Sequence, residues 1–572
     1  MTKRARSPRV LLRELVDLHV QFTPDSARRK RELVELLARA RLGSAREVER
    51  LHETLLFLRA YCDDALLQAA VERALEGFAV RRDLRAHARE LADSGIAGTQ
   101  IYYRFFEPTA RRLATTHPTR LHIDWPEFEH ADLLERLLPL LLPYAESPAL
   151  DEADLTLREW IERARSPEET DATFLIRRFA ALPLDEFARE RLYEEVDLPL
   201  RLAPGPGTPS RTLACAHAVP LAFQTRALRR ERPDLATAVL RRPRSIRAVP
   251  EREAAALIEL VRDAMVVRSR DLDAFAQADP RDVRIADCGD GLAFVVYGVR
   301  PERRLVLEGV YACLTLKHGV PIGYVLASAL FGSSEIAYNV FDTFRGGEAG
   351  HVYGAVLGLV HALFGVDTFT VYPYQLGHEN DEGLRSGAWW FYQKLGFRPR
   401  ERETLRLMRR ELASMARDPT HRSDRATLKE LARENVYWSL GSSSKAARER
   451  DDVIGIFPIG AVGLAVTDHL ARNFGSERER GIEECAELAG RWLGLRRWRK
   501  LPPGERLAWE RWSPLVCALG GVERWPLADR RALAGVIRAK GGRRESEFVR
   551  RFDAHVGLRR ALCRIGGVRS SK

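Results

Sequence analysis

The chain has 572 residues, 45% hydrophobic and 30% charged, a composition of folded domains but too long for one ordinary core. No apolar run reaches the roughly 18 residues that a membrane helix needs, so no membrane partner is expected. The net charge of +12 is uneven, because residues 491–572 hold 21 Lys/Arg against 7 Asp/Glu and the rest of the chain sums to −2.

Seven cysteines (Cys62, Cys215, Cys288, Cys313, Cys485, Cys517, Cys563) are scattered without paired spacing, and the 14 histidines show no ligand spacing either. No metal site and no disulfide framework are expected, and a reducing cytoplasm is the expected setting. The N-terminus is basic but lacks a continuous apolar core, so no signal peptide is expected.

Residues 1–203 read as successive amphipathic helices, at 10–20, 33–42, 44–58, 65–78, 84–91, 132–142 and 155–164. Ser44 with Glu47 forms a capping-box pattern. The segment 202–210, rich in Pro and Gly, reads as a linker, and the basic stretch 241–247 as a solvated connector.

From residue 251 the pattern turns to α/β. A helix at 254–267 precedes β segments at 283–286, 292–299, 305–316 and 322–329, with turns at Gly289-Asp290-Gly291 and His318-Gly319. A β-prone run at 335–341 then leads into a glycine-rich turn, an apolar helix at 349–364 and a buried-type strand at 368–372. This βαβ unit places a glycine turn at a helix N-terminus, where free N–H groups attract anions, with Arg345 beside it. Within the helix, Gly350, Gly354 and Gly358 share one face, which something must approach closely, most simply the sheet.

A second helix at 386–395 ends at Gly396 and continues as Phe397-Arg398-Pro399. Helices return after 399, interrupted by a polar break at 441–445. The basic segment 491–572 carries five of the ten tryptophans. A tryptophan-cored bundle is preferred there over a nucleic-acid arm, which remains the alternative because arginine and aromatic residues can bind phosphates and bases.

The turn at 345–350 and the run Phe391-Tyr392-Gln393-Lys394-Leu395-Gly396-Phe397 resemble the GNAT superfamily of N-acetyltransferases, over roughly residues 250–410. The resemblance implies an α/β fold with a GNAT-like mixed sheet and flanking helices. It would occupy residues 204–415, between an all-α domain at 1–203 and a basic, Trp-rich all-α domain at 416–572. It also implies acetyl-CoA as co-substrate, with the pyrophosphate held by Arg345, Gly346, Gly347, Glu348, Ala349 and Gly350. Tyr392 falls on the family's proton donor. The implied activity is direct acetyl transfer to an amine of a small molecule or protein. Glu348 stands where the family's first glycine is expected, and Arg385 where many members carry Asn. These departures leave a catalytically inactive binding module as a further alternative.

The base is open on sequence alone. Asp342 and Glu335 are the carboxylates nearest the strand before the turn, and alternation puts them on opposite faces. Asp342 is the candidate catalytic carboxylate beside Tyr392, with Asn380 and Glu382 on the acceptor side by position.

Overall fold

Side-chain caps and prolines set where the N-terminal helices begin. Thr23, Ser44 and Asp64 accept the N–H groups of Ser26, Glu47 and Leu67, opening helices Pro24–Arg39, Ala45–Ala60 and Ala65–Glu76. Glu47 closes its box one residue early, because its carboxylate takes the N–H of Gly43 at 3.0 Å. The computed structural model describes residues 6–441 and 450–568, so the polar break beyond Gly441 and both chain ends lie outside the described residues.

Two compact units emerge where the sequence suggested three segments. The first comprises residues 1–227, 255–277 and 317–321. It is helical apart from a small antiparallel sheet of β1 (Ile101–Tyr103), β2 (Leu121–Ile123) and β3 (Leu200–Leu202), ordered β1-β3-β2. Strands of three residues carry no readable alternation, which is why the sequence suggested none.

The expected linker at 202–210 belongs inside this unit. Beyond it the extended chain stays packed: Thr212 is fully buried, and its hydroxyl accepts from Ala97 N at 2.8 Å and contacts His52 Nε2 at 2.9 Å. Proline forbids a helix here but not a buried extended strap whose polar groups are satisfied.

The second unit comprises residues 228–254, 278–316 and 322–572. A nine-stranded mixed sheet dominates it. The strands are β4 (Ser245–Ala248), β5 (Ala278–Gly289), β6 (Leu292–Val299), β7 (Gly309–Lys317), β8 (Val320–Leu330), β9 (Ser333–Val340), β10 (Thr368–Val371), β11 (Arg398–Pro399) and β12 (Val436–Ser439). Their order is β11-β12-β10-β9-β8-β7-β6-β5-β4.

The meander β5 to β9 turns at Asp290-Gly291, His318-Gly319 and Phe331-Gly332. Both residues of each pair have positive φ, the signature of a two-residue type I′ hairpin turn. β9 and β10 are parallel neighbours joined by the central helix Ala349–Phe364. β12 returns antiparallel between β10 and β11. Three strands escaped the sequence reading: β4 hides in the basic stretch, the two-residue β11 follows Gly396 where no strand was expected, and β12 lies in a segment expected to be helical.

The glycine face of the central helix is covered not by the sheet but by a short helix, Leu235–Leu240. A Cβ on Gly354 would lie 2.9 Å from Ala238 Cβ, and one on Gly358 2.8 Å from the carbonyl of Arg241. Asp234 caps this short helix by accepting from Thr237 N at 3.1 Å.

The C-terminal helices belong to the same unit as the sheet. Trp498, Trp509 and Trp512 are buried. The Trp512 indole donates to Val306 O at 3.1 Å, and the Arg304 guanidinium donates to Lys540 O at 2.7 Å. Among the described residues, no helix is long and apolar enough to cross a membrane.

Candidate functional site

The glycine turn lies between β9 and the central helix. Ala349 and Gly350 form its first turn, where backbone N–H groups have no acceptor one turn earlier. Gly347 N–H is already used, donating to Phe344 O at 2.9 Å, and Gly346 O accepts from Arg230 at 3.0 Å.

Arg345 is held by acids. Its guanidinium pairs with Asp342 at 2.6 Å and with Glu382, while Nε donates to Val340 O at 3.2 Å. Asp342 thus serves as a partner of Arg345, with its side chain 81% exposed. Asn380 caps helix Asp381–Ser386 by accepting from Gly383 N, and Glu382 is turned to Arg345. Glu348 is buried and accepts from Arg229 N at 3.0 Å. The Arg229 guanidinium reaches Asp290 at 2.5 Å and His351 at 3.0 Å. The turn is therefore charge-balanced by the chain's own residues.

A cleft of ≈ 270 Å³ opens beside it, between the short helix and the central helix, with Arg241, Arg242, Cys288 and His351 among its walls. The basic stretch expected to be a plain connector thus contributes two cations to a cavity wall.

Tyr392 is packed within an aromatic cluster. It sits on helix Ala388–Leu395, is 3% exposed, and meets Tyr353 and Phe397 at centroid separations of 5.4 and 5.9 Å. Burial pushes its phenol well above the ordinary value. Tyr353, also buried, has a hydroxyl with no hydrogen-bond partner among the described residues and packs against Tyr338 of β9 at 5.2 Å. The expected proton donor is thus a core residue, because Tyr353, Phe391 and Phe397 surround it with rings.

The opposite face of β9 carries a different constellation. Alternation places Glu335 on the face away from Tyr338. Glu335 pairs in register with Ser328 of β8 and with Thr370 of β10. Parallel pairing with β10 covers only Ser333, Ser334 and Glu335, so residues 336–340 run on past the last pair. Glu335 therefore stands where two parallel strands part, the place where open α/β sheets bind ligands.

Its carboxyl forms no ion pair among the described residues. Burial, reinforced by the charge of Glu308, pushes it up to about 7. Glu308 accepts from the Ser328 hydroxyl at 3.0 Å and is itself raised by burial. Tyr372, immediately after β10, is raised well above its ordinary value by burial and then by these two carboxylates. The register that assembles Glu335, Glu308 and Tyr372 is invisible in sequence. The only signal there is a glutamate set within an apolar strand.

No family model, no curated protein and no solved structure matches the chain.

Proposed function

We propose that the sheet unit is an acetyl-CoA-dependent N-acetyltransferase in which Glu335 is the general base. The observation that carries this reading is the unpaired Glu335 carboxyl, raised to about 7, at the parting of β9 and β10. A base poised near neutrality suits proton abstraction from an amine, whose ordinary value lies near 10. Further support comes from the strand order, a meander leading into a βαβ unit, which is the order that the resemblance calls for.

The turn fits a pyrophosphate in part. The Arg345 ion pairs are solvent-exposed and contribute only about 0–1 kcal/mol each, so a doubly charged ligand can displace them. Buried Glu348 opposes such a ligand. When bound, acetyl-CoA supplies the activated acyl group. Glu335 accepts the proton shed by the attacking amine, directly or through one water. Tyr372 holds a proton on the same side and can donate a hydrogen bond to the departing sulfur. The sulfur leaves as a thiolate of pKa about 8.5 and takes its proton from solvent, because a phenol raised well above its ordinary value is too weak an acid to surrender its own. Tyr392 has no proton-transfer role in this scheme and Asp342 is not the base.

The test is thiol release from acetyl-CoA with a panel of polyamine, aminoglycoside and peptide amines. Amine-dependent release that falls by about 10²–10⁴-fold in Glu335→Gln supports the reading. Release that is unchanged in that variant refutes it.

A second reading, a binding module without turnover, draws on one observation: acids already occupy Arg345, and Glu348 is buried at the turn. Saturable acetyl-CoA binding with no transfer to any acceptor would favour it. Nucleic-acid binding through residues 491–572 draws less support. Arg511, Arg530, Arg543 and Arg550 donate to backbone carbonyls, and Arg499 and Arg538 pair with glutamates.

A further inference from the structure

Three residues far apart in sequence meet in the C-terminal helices. His469 lies on helix Ile459–Phe474, Cys485 on helix Arg478–Trp492 and Cys517 in the last turn of helix Pro503–Ala518. Their ligand-capable atoms all lie within 4.8 Å of one another, with Cys485 Sγ 3.6 Å from His469 Nε2. Both thiols are free. Sequence spacing alone gave no hint of this, because the 16-residue and 32-residue separations match no metal module.

We propose that His469, Cys485 and Cys517 bind one thiophilic divalent cation, with zinc the best fit. Zinc–sulfur bonds of about 2.3 Å and zinc–nitrogen bonds of about 2.0–2.1 Å at tetrahedral angles place ligands roughly 3.5–3.8 Å apart. The Cys485–His469 separation already has that value, and Cys517 needs to close by at most about 1 Å. Two thiolates and a neutral imidazole offset the double charge, so the buried site gains no net charge. The donor set is soft, which selects zinc over magnesium or calcium.

The scaffold is preorganised on helices and not on loops. Gly481 lets the second helix lie against the first, since a Cβ there would stand 2.8 Å from the Phe474 ring. The Trp509 indole fixes the third helix to the second by donating to Ala486 O at 3.2 Å. Cys485 and Cys517 are buried, whereas His469 is partly exposed. The ion therefore enters from the His469 side, and its fourth position opens there to water or an exchangeable ligand. Three protein ligands with one open position distinguish this site from a closed four-ligand structural site.

The experiment uses the full chain, reduced and freed of reductant, titrated with Zn²⁺ against a chromophoric chelator and in parallel with Co²⁺. The expected result is one equivalent of zinc, and a cobalt adduct with near-ultraviolet thiolate-to-metal absorption and the intense visible bands of a tetrahedral site. Cys517→Ser should weaken zinc by more than about 100-fold, since even outer-shell changes cost about 10–100-fold. His469→Ala, at a partly exposed position, should weaken it while leaving the far-ultraviolet circular dichroism intact. Failure of the reduced wild-type chain to take up zinc overturns the proposal, whether or not Cys485 and Cys517 form a disulfide on oxidation. So does uptake that neither variant diminishes.

Discussion

Glu335 combines a proposed catalytic role with a structural cost. Its carboxyl is raised to about 7 in the folded chain, against about 4.3 when unfolded. The folded state thus holds its proton more tightly, and stability falls as pH rises from about 4 to 7. Glu335→Gln should remove this penalty. Thermal melts should show the variant more stable than wild type at pH 8, by roughly 1–3 kcal/mol, and equal to it near pH 4. The same change should slow transfer by about 10²–10⁴-fold, while wild-type kcat/KM rises with pH through about 7. A variant that loses activity without gaining stability at pH 8 would mean that the carboxyl is not desolvated.

The two tyrosines separate at the same scale. Tyr372→Phe should slow transfer by about 10²-fold, whereas Tyr392→Phe should leave the rate within about threefold. Steady-state rates at saturating co-substrate decide between them. The motif around Tyr392 was legible in sequence. Its burial was not, because it depends on Tyr338 and Tyr353 arriving from other elements.

The glycines of the central helix predict a contact between helices. Gly354→Ala should gain about 1 kcal/mol in helix propensity but force its methyl to 2.9 Å from Ala238 Cβ. Overpacking of this kind costs about 1–3 kcal/mol, so the variant should be destabilised. Ala238→Gly in the same chain should restore the loss, a coupling that denaturant titration of the double-mutant cycle measures. If the two changes simply add, the short helix does not rest on this face. Sequence showed that some element must come close, since three glycines recur at one-turn spacing. It did not show which, because residues 229–240 begin as a charged, proline-broken run that resembles a connector. The strands of the meander were readable for the opposite reason, since glycine punctuates three of their turns between long apolar runs.

At the scale of the whole molecule, residues 416–572 are part of the sheet unit and not an appendage. β12 supplies a strand, and Trp512 lies fully buried with its indole donating to Val306 O. Trp512→Ala should destabilise this unit by about 3–5 kcal/mol, and a chain truncated after Gly490 should bind a hydrophobic dye in place of folding. A truncated chain with native-like acetyl-CoA affinity would contradict this. The sequence marked the tryptophans as core material and the positive charge as local. It drew the boundaries at composition changes, whereas the structure draws them where packing ends, and a buried strap such as the one around Thr212 has linker composition without linker behaviour.

If this unit works on acetyl-CoA as proposed, calorimetric titration of acetyl-CoA into the purified full chain detects the binding without any acceptor amine. Saturable binding of one equivalent is expected, weakened by about 10- to 150-fold in Arg345→Ala, as for loss of one charge-assisted bond to a phosphate of about 1.5–3 kcal/mol. Absence of saturable binding by a folded wild-type chain would contradict it.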